Sequence, residues 1–240
     1  MPRFFCETPL ENQIVIVGED ALHIKKVLRM KMGEKLTVHC VDGNDYDCVI
    51  SQMTQAEVYL DIVNQYPNTS EPSVKVTLYQ ALPKKDKMEW IIQKAVELGV
   101  YQIVPVLTKR CVSRPDEKSM QKKIVRYQKI AQEAAKQSGR GMIPAICQLM
   151  TFEEAIEHMQ QCQKKILCYE KGGKRLNEII DLKDQSIGIL IGSEGGFEQT
   201  EVEFATAKQV QIATLGKLIL RCETAPLTAL SIMMNITENI

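Results

Sequence analysis

Apolar and polar residues alternate along much of the first 63 residues, a pattern typical of half-buried β-strands. The predicted strands cover residues 13–17, 35–41, 46–53 and 57–63. A turn signal, Asp-Gly-Asn at 42–44, separates the second strand from the third and predicts that these two form a hairpin. One amphipathic segment at 19–30 interrupts the strands and is predicted to be a helix. We therefore expect a small, mostly antiparallel β-barrel with one helix.

The pattern changes after a polar segment punctuated by prolines at residues 66–73, which is predicted to be a linker. Beyond it, nearly continuous apolar runs alternate with segments of helical periodicity. The predicted strands are 74–82, 102–107, 143–149, 165–169, 187–192 and 210–215, and the predicted helices are 86–98, 118–136, 151–161, 176–180, 200–208 and 224–236. This alternation predicts an α/β domain over residues 74–240, with a parallel sheet covered on both faces, after the barrel domain over residues 1–70.

Residues that can cap a helix mark three of the predicted helix starts. Each is a polar residue followed three positions later by a glutamate, which is the pattern of a capping box. The pairs are Asp86 with Glu89, Thr151 with Glu154, and Thr200 with Glu203. Gly99 marks the predicted C-terminal end of the first helix of the α/β domain.

Composition excludes several classes of protein. With 240 residues and 45% hydrophobic residues, the chain can bury a sizeable core, which excludes a disordered or disulfide-stapled protein. Its 8 cysteines include no C-x-x-C pair and lie near no histidine in a zinc pattern, so we predict reduced thiols and no metal site. No apolar run resembles a signal peptide or is long enough to span a bilayer. We expect a soluble, cytoplasmic protein.

Charge is balanced overall but not locally. The chain has 30 basic and 30 acidic residues, so its net charge does not indicate a nucleic-acid partner. Between Lys84 and Arg140, however, 14 basic residues stand against 6 acidic ones. Such a block indicates either a surface for phosphates or a solvated helix face, and charge alone does not decide between them.

Three loops follow predicted strands at their carboxyl ends, where sheets of this class bind ligands. The loop at 191–197 contains three glycines around Glu194, without the spacing of a phosphate-binding loop. The loop at 215–226 carries Arg221 and Glu223 in an otherwise apolar segment, and that at 168–173 ends in two glycines. A tight turn at the first loop and helix capping by Glu223 are the alternatives to a binding site.

The motifs in these loops, I-G-S-E-G-G-F at 191–197 and L-G-K-L-I-L-R-C-E-T-A at 215–225, resemble the SPOUT superfamily of RNA methyltransferases. They are most similar to its 16S ribosomal RNA uracil-N3 methyltransferase branch, the RsmE family. Motifs at 23–33, 84–100 and 132–140 also fit, in the same order, so the resemblance covers the whole chain. Two positions depart from the family pattern: Ser193 replaces a usual proline, and Leu218 replaces a common arginine.

The resemblance implies a PUA-like RNA-binding barrel followed by a methyltransferase domain with a deep trefoil knot. It also implies a homodimer that uses S-adenosylmethionine to methylate N3 of one uridine in 16S ribosomal RNA of the small subunit. An alternative is a ribosome-assembly factor of the same fold that binds RNA with weak or no catalysis, which the loss of arginine at Leu218 favours. Another nucleotide-binding α/β enzyme is a further alternative, and the absence of phosphate-loop motifs argues against it.

The three loops correspond, by resemblance, to the cofactor pocket. The residues assigned to cofactor binding are Leu167, Tyr169, Ile191, Gly192, Glu194, Gly195, Gly196, Leu215, Gly216, Ile219, Leu220, Thr224 and Ala225. Uracil N3 becomes nucleophilic only when its proton leaves, so we assign Arg221 to stabilise the developing anion. Either Glu223 or Glu194 is expected to accept the proton, and the sequence does not decide between them.

RNA must also be held away from the pocket, because N3 lies on the Watson–Crick edge and the base must be presented unpaired. We assign this role to basic residues of the barrel and of the basic block. They are His23, Lys25, Lys26, Arg29, Arg110 and Arg140. His23 is expected to pack in the barrel rather than act in catalysis. Arg140 stands between two glycines, where we expect an arginine to gain little structurally.

Overall fold

The computed structural model of the protein describes residues 1–6, 9 and 12–240. The chain forms two compact units. The first comprises Met1–Glu71 together with Ala135–Met142, and the second comprises Pro72–Ala134 with Ile143–Ile240.

A mixed five-stranded sheet forms the first unit. Its strands are β1 (Arg3–Cys6), β2 (Gln13–Ile16), β3 (Lys35–Cys40), β4 (Asn44–Met53) and β5 (Val58–Pro67), in the order β1-β3-β4-β5-β2. The predicted hairpin is confirmed, because β3 and β4 pair antiparallel on either side of the turn. Strand β1 was not predicted, and it pairs parallel to β3. All five strands contribute apolar side chains to one core.

The helix predicted at 19–30 is interrupted. A short helix α1 (Gly18–Leu22) continues into a wider π turn at His23–Val27, where the Leu28 N–H donates to the carbonyl of His23 at 2.9 Å. The segment ends at Arg29, whose φ of 53° is left-handed. Such wide turns and left-handed residues carry a local energetic cost that tertiary packing must offset, so periodicity alone does not predict them.

A parallel eight-stranded sheet forms the centre of the second unit. Its strands are β6 (Lys75–Ala81), β7 (Gln102–Leu107), β8 (Ala145–Ile146), β9 (Met150–Thr151), β10 (Lys164–Cys168), β11 (Lys174–Arg175), β12 (Ser186–Ile191) and β13 (Gln211–Thr214). Seven of them follow the order β11-β13-β10-β12-β6-β7-β8, and β9 pairs with β7. Successive residues of β6 and β12 are buried, which shows that both faces of the sheet are covered. The predicted α/β class is confirmed.

Four helices lie between these strands along the chain, and a fifth follows the last strand. They are α2 (Lys87–Glu97), α3 (Glu117–Ser138), α4 (Phe152–His158), α5 (Gln199–Ala207) and α6 (Thr224–Ile236). The capping box of Thr151 and Glu154 is confirmed, and Gly99 follows the end of α2 with a left-handed φ of 86°. Within the described residues, no helix combines the length and the apolar character needed to cross a membrane.

Two predicted caps are wrong in detail. Asp86 precedes α2, but its side chain makes no capping hydrogen bond. Helix α5 is capped by Glu198 with Glu201, rather than by Thr200 with Glu203. The reason is tertiary: the buried carboxylate of Glu201 accepts hydrogen bonds from the N–H groups of both Glu198 and Lys109, each at 2.8 Å, which sets where the helix begins.

Candidate active site

A cavity of about 490 Å³ opens at the carboxyl ends of β10, β12 and β13 in the second unit. The loops that follow these three strands form most of its wall, as predicted from their positions after the strands. The start of α2 supplies one more lining residue, Lys87. The chain passes from β6 to β7 on one side of the sheet and from the neighbouring strand β12 to β13 on the other side, so the direction of the connections reverses beside this cavity. Ligands bind at such reversal points in open α/β sheets.

The glycine loop 191–197 presents backbone to the cavity. Its turn is closed by a hydrogen bond from the Gly196 N–H to the Ser193 carbonyl at 3.0 Å, and Gly196 has a left-handed φ of 63°. A Cβ atom at Gly192 would lie 3.1 Å from the Gly196 Cα, so the two backbones are in direct contact. The glycines therefore allow this loop to fold tightly back on itself and leave peptide groups in the cavity wall.

One lysine joins two carboxylates of different loops. Lys87 Nζ lies 3.1 Å from an oxygen of Glu194 and 3.0 Å from an oxygen of Glu223. It also lies 3.7 Å from the sulfur of Cys222, whose thiol donates to Glu223 at 3.2 Å. The Glu194 carboxylate further accepts the backbone N–H of Lys84 at 3.1 and 3.3 Å. The cluster thus ties the segment after β6, the loop after β12 and the loop before α6 together.

These contacts hold both glutamates in the charged form. Burial acts to raise the pKa of Glu194, but hydrogen bonds from its own backbone, from Lys87 and from Lys84 outweigh it, and the pKa is lowered. Burial also acts to raise the pKa of Glu223, but hydrogen bonds from Lys87 and Cys222 outweigh it, so this pKa is lowered as well. The same pairing raises the pKa of Lys87, whereas burial and the bond to Glu223 raise the pKa of Cys222 to about 12. At neutral pH the cluster holds two carboxylates and one ammonium.

The apolar segment around Arg221 predicts a buried guanidinium, but the structure places Arg221 in the cavity wall with its side chain exposed. Among the described residues, its guanidinium has no hydrogen-bond or ion-pair partner in the protein. An arginine in this apolar segment is expected to pair with Glu223 or with the carboxylate of the bound cofactor, and the structure pairs Glu223 with Lys87 instead. Arg221 therefore presents free donors to whatever enters the cavity.

Most of the residues assigned to cofactor binding line the cavity. These are Tyr169, Ile191, Gly192, Glu194, Gly195, Gly196, Leu215, Gly216, Ile219, Leu220 and Ala225. Leu167 instead belongs to the hydrophobic core, whereas Thr224 and Glu223 flank the cavity without lining it. The cavity is also lined by residues without an assigned role, among them Lys87, Glu170, Phe197 and Lys217. Lys87, Phe197 and Lys217 lie within the motifs at 84–100, 191–197 and 215–225, which is the signal that could have found them, whereas Glu170 lies in the loop at 168–173 outside these motifs.

Gly195 is crowded from the side of Arg110. A Cβ atom at Gly195 would lie 3.0 Å from the Arg110 Cβ and 3.3 Å from its carbonyl oxygen. The Arg110 guanidinium donates to the Gly195 carbonyl at 3.0 Å. The structure thus assigns Arg110 a role in supporting the glycine loop, and its predicted contact with RNA stays a prediction.

The basic residues of the first unit lie around the π turn. Lys26 and Arg29 are exposed, and the ammonium of Lys25 donates to the carbonyls of Thr54 and Gln55 at 3.0 and 2.9 Å. His23 packs edge-on against Phe4, with ring centroids 6.2 Å apart, which agrees with the expected packing role. Lys26 and Arg29 therefore offer accessible charge.

Arg140 is buried, with 3% of its surface exposed, and our expectation of little structural gain is wrong. Its Nε and one terminal nitrogen donate to the Glu71 carboxylate at 2.8 and 2.7 Å, and Gly141 N–H adds a third bond at 2.7 Å. The flanking glycines have structural reasons too: Gly139 has a φ of 73°, and a Cβ at Gly141 would lie 2.5 Å from Asn68.

We expect Arg140→Met to lower the free energy of unfolding by about 2 kcal/mol, because it leaves a partly buried carboxylate without its cation. Urea unfolding followed by circular dichroism measures the change. Lys94→Met is the control, since the Lys94 side chain is 36% exposed where that of Arg140 is 4% exposed, and the loss of its ion pair with Glu97 is expected to cost about 0.5 kcal/mol or less. Equal losses in the two variants would contradict the assigned structural role.

Comparisons with known proteins show similarity over almost the whole chain. Residues 69–234 match the RNA methyltransferase domain family, and residues 16–63 match the PUA domain of RNA methyltransferases. The ribosomal RNA small subunit methyltransferase E of Bacillus subtilis (strain 168) is 34% identical over 99% of this chain and 98% of its own length. The protein of the same name from Mesomycoplasma hyopneumoniae (strain 232) is 34% identical over 96% of this chain and 98% of its own.

A solved structure extends the similarity to three dimensions. The ribosomal RNA small subunit methyltransferase E of Neisseria gonorrhoeae, bound to S-adenosyl methionine, superposes with a TM-score of 0.87 at 30% identity. The match covers 98% of this chain and 97% of that one. Sequence identity over whole chains and a shared fold lead to the same conclusion: the chain belongs to the ribosomal RNA small subunit methyltransferase E family.

Proposed function

We propose that this protein is an S-adenosylmethionine-dependent methyltransferase that methylates N3 of one uridine in 16S ribosomal RNA of the small subunit. The observation that carries the proposal is the cavity with a free arginine, Arg221, at its wall and two ionised glutamates beside it. The names of the relatives support the reaction type and the small-subunit RNA. The uracil-N3 specificity rests on the sequence motifs and on the chemistry of the cavity.

The cavity fits the cofactor in size and in chemical character. Its volume of about 490 Å³ lies within the range of small-molecule pockets. Apolar side chains, including Ile191, Leu215 and Leu220, suit a flat purine ring, and the glycine-loop peptide groups suit its polar edge. Ser193 Oγ is buried and, within the described residues, has no hydrogen-bond partner, which leaves a polar group available beside the pocket. When bound, S-adenosylmethionine supplies an electrophilic methyl group.

Arg221 prepares the substrate base. Negative charge spreads onto the uracil carbonyl oxygens as N3 loses its proton, and a guanidinium stabilises such charge with two parallel N–H donors. Since Arg221 has no partner among the described residues, this interaction displaces no existing ion pair. Stabilisation of developing charge by a preorganised donor is commonly one of the largest contributions to catalysis.

Between the two candidate proton acceptors, the contacts favour Glu223. Both oxygens of Glu194 accept hydrogen bonds from the Lys84 N–H, and one of them also contacts Lys87. The two side-chain partners of Glu223, Lys87 and Cys222, share one of its oxygens, and its own backbone adds a further hydrogen bond. Because its pKa is lowered, Glu223 is a weak base. Stabilisation of the anion by Arg221 must therefore supply much of the driving force.

We further propose the division of labour implied by the resemblance. Residues 1–70 hold RNA, residues 74–240 carry out catalysis, and the protein acts as a homodimer in the cytoplasm.

Calorimetry with S-adenosylmethionine tests the cofactor, and mapping of N3-methyluridine in 16S RNA from a deletion strain tests the reaction. Loss of one modified uridine, restored by the wild-type chain but not by Arg221→Lys, is expected. Unchanged modification with no cofactor binding would favour the inactive assembly factor instead.

Neutralising Lys25, Lys26 and Arg29 together is expected to weaken RNA binding and flatten its dependence on salt. The slope of log affinity against log salt should decrease by about one unit for each phosphate group that the variant no longer binds. Filter binding of a 16S RNA fragment at several salt concentrations measures the slope. The matched control neutralises three lysines of the second unit, Lys165, Lys183 and Lys208. An unchanged slope in the first variant, or an equal change in both, would contradict RNA binding by this surface.

A further inference from the structure

We propose that Lys87 is a positioning residue for methyl transfer, which holds the carboxylates of two cavity loops ionised and in place. The inference rests on the proposed function and adds a residue that does not itself need to touch either substrate. Its basis is the pair of contacts from one ammonium to Glu194 and Glu223, at 3.1 and 3.0 Å.

The position of Lys87 in the fold gives these contacts their importance. It is the first residue of α2, which follows β6, whereas Glu194 follows β12 and Glu223 precedes α6. Its side chain is 33% exposed, and those of the two glutamates are 28% and 20% exposed. Partly buried ion pairs are screened less by salt than surface pairs are. Lys87 thus connects three segments: its ammonium joins the loop before α6 to the other two. The segment after β6 and the loop after β12 are also joined by the hydrogen bonds from the Lys84 N–H to Glu194.

Removing the ammonium would leave two negative charges on neighbouring loops. Like charges at close range raise the pKa of at least one carboxyl group and push the groups apart. The titratable groups around them are the Cys222 thiol, 3.2 Å from Glu223, and Glu170, Lys217 and Arg221, which line the same cavity. None of the last three pairs with either glutamate in the described part of the chain, so no other side-chain cation replaces Lys87.

Lys87→Met is therefore expected to have two linked effects. The turnover number should decrease about tenfold to hundredfold, with little change in cofactor affinity, because the loops no longer hold a productive geometry. In the pH dependence of the turnover number, the acid limb should also move to higher pH by about one unit or more. The reason is that the carboxylates are protonated at higher pH when they lack their cation. Lys87→Arg should restore the low acid limb and part of the turnover number.

The decisive measurement is an NMR titration of 13C-labelled glutamate side chains in the full chain, which reads the carboxyl pKa values without any reaction. We expect a clear upward shift for Glu194, Glu223 or both in Lys87→Met. The control is Lys94→Met on the same helix, whose partner Glu97 does not line the cavity, and which should leave both titrations and the turnover number unchanged. Thermal melting establishes that each variant is folded, and Lys87→Gln replaces Lys87→Met should the latter unfold.

Unshifted carboxyl titrations together with a wild-type rate profile in a folded variant would overturn the role of Lys87. An equal loss of turnover in Lys87→Met and Lys87→Arg, with no shift of the acid limb of the pH–rate profile, would also overturn this role. That is the result expected if Lys87 only supports the fold. A wild-type protein that binds no S-adenosylmethionine would instead overturn the proposed function. The titration distinguishes the two failures, because it requires neither cofactor nor RNA.

Discussion

Arg221→Lys is expected to lower the rate of uridine methylation at saturating cofactor and RNA by about a hundredfold or more. Removing one hydrogen-bond donor to a developing anion typically lowers an enzyme's rate by that factor. Lysine retains the positive charge but loses the planar fork that can hold a carbonyl oxygen and a second acceptor at once. Because Arg221 is exposed and has no protein partner among the described residues, the change breaks no ion pair, and the fold should remain intact. Single-turnover kinetics with 16S RNA measures the rate.

Raising the pH should partly restore the Arg221→Lys variant, since more of the uracil is then already deprotonated when it enters the cavity. Cofactor affinity, measured by calorimetry, should change little. Arg175→Lys is the matched control, an exposed arginine of β11 that does not line the cavity, and it should behave as wild type. A variant at Arg221 that binds the cofactor weakly but keeps the saturated rate would place this residue in the cofactor pocket instead.

Gly195→Val should abolish measurable binding of S-adenosylmethionine while the chain stays folded. The added Cβ points at Arg110, 3.0 Å from the arginine Cβ and 3.3 Å from its carbonyl oxygen, so either the glycine loop or the Arg110 segment must shift. Overpacking of this kind costs about 1–3 kcal/mol. A cost of that size displaces a loop more readily than it unfolds a domain of this size. Since the loop forms the cavity wall, the expected loss falls on cofactor affinity.

A double-mutant cycle tests the physical reason for this prediction. Gly195→Ala adds only the Cβ and should weaken cofactor binding less than valine does. Arg110→Gly removes the Cβ that it would meet, so the double variant should recover part of the affinity that Gly195→Ala removes. Unchanged cofactor affinity in a folded Gly195→Val protein would contradict the placement of this loop at the cofactor pocket. Independent, additive effects would contradict the role of Arg110.

Secondary structure and domain class were largely determined by local sequence. Helix α6 and strand β7 have the predicted bounds, and the buried strands of the second unit were recognisable because both of their faces are apolar. The loops that carry the cavity could also be predicted, since the carboxyl ends of parallel strands meet at one edge of the sheet. The motifs in these loops identified the family, and the comparisons confirm it. The trefoil knot, the dimer and the division at residues 70–74 stay predictions.

Tertiary structure decided the features that depend on residues distant in sequence. Strand β1 forms because β3 offers it an edge, and α5 begins at Gln199 because Glu201 also binds the backbone of Lys109, 92 residues away. The partners of Arg140 and Lys87 were not predictable for the same reason. Local periodicity reports which face of an element is apolar, but it carries no information about which charged side chain another loop will place opposite it. Only folding brings Lys87 between two glutamates, and thereby leaves Arg221 free for the substrate.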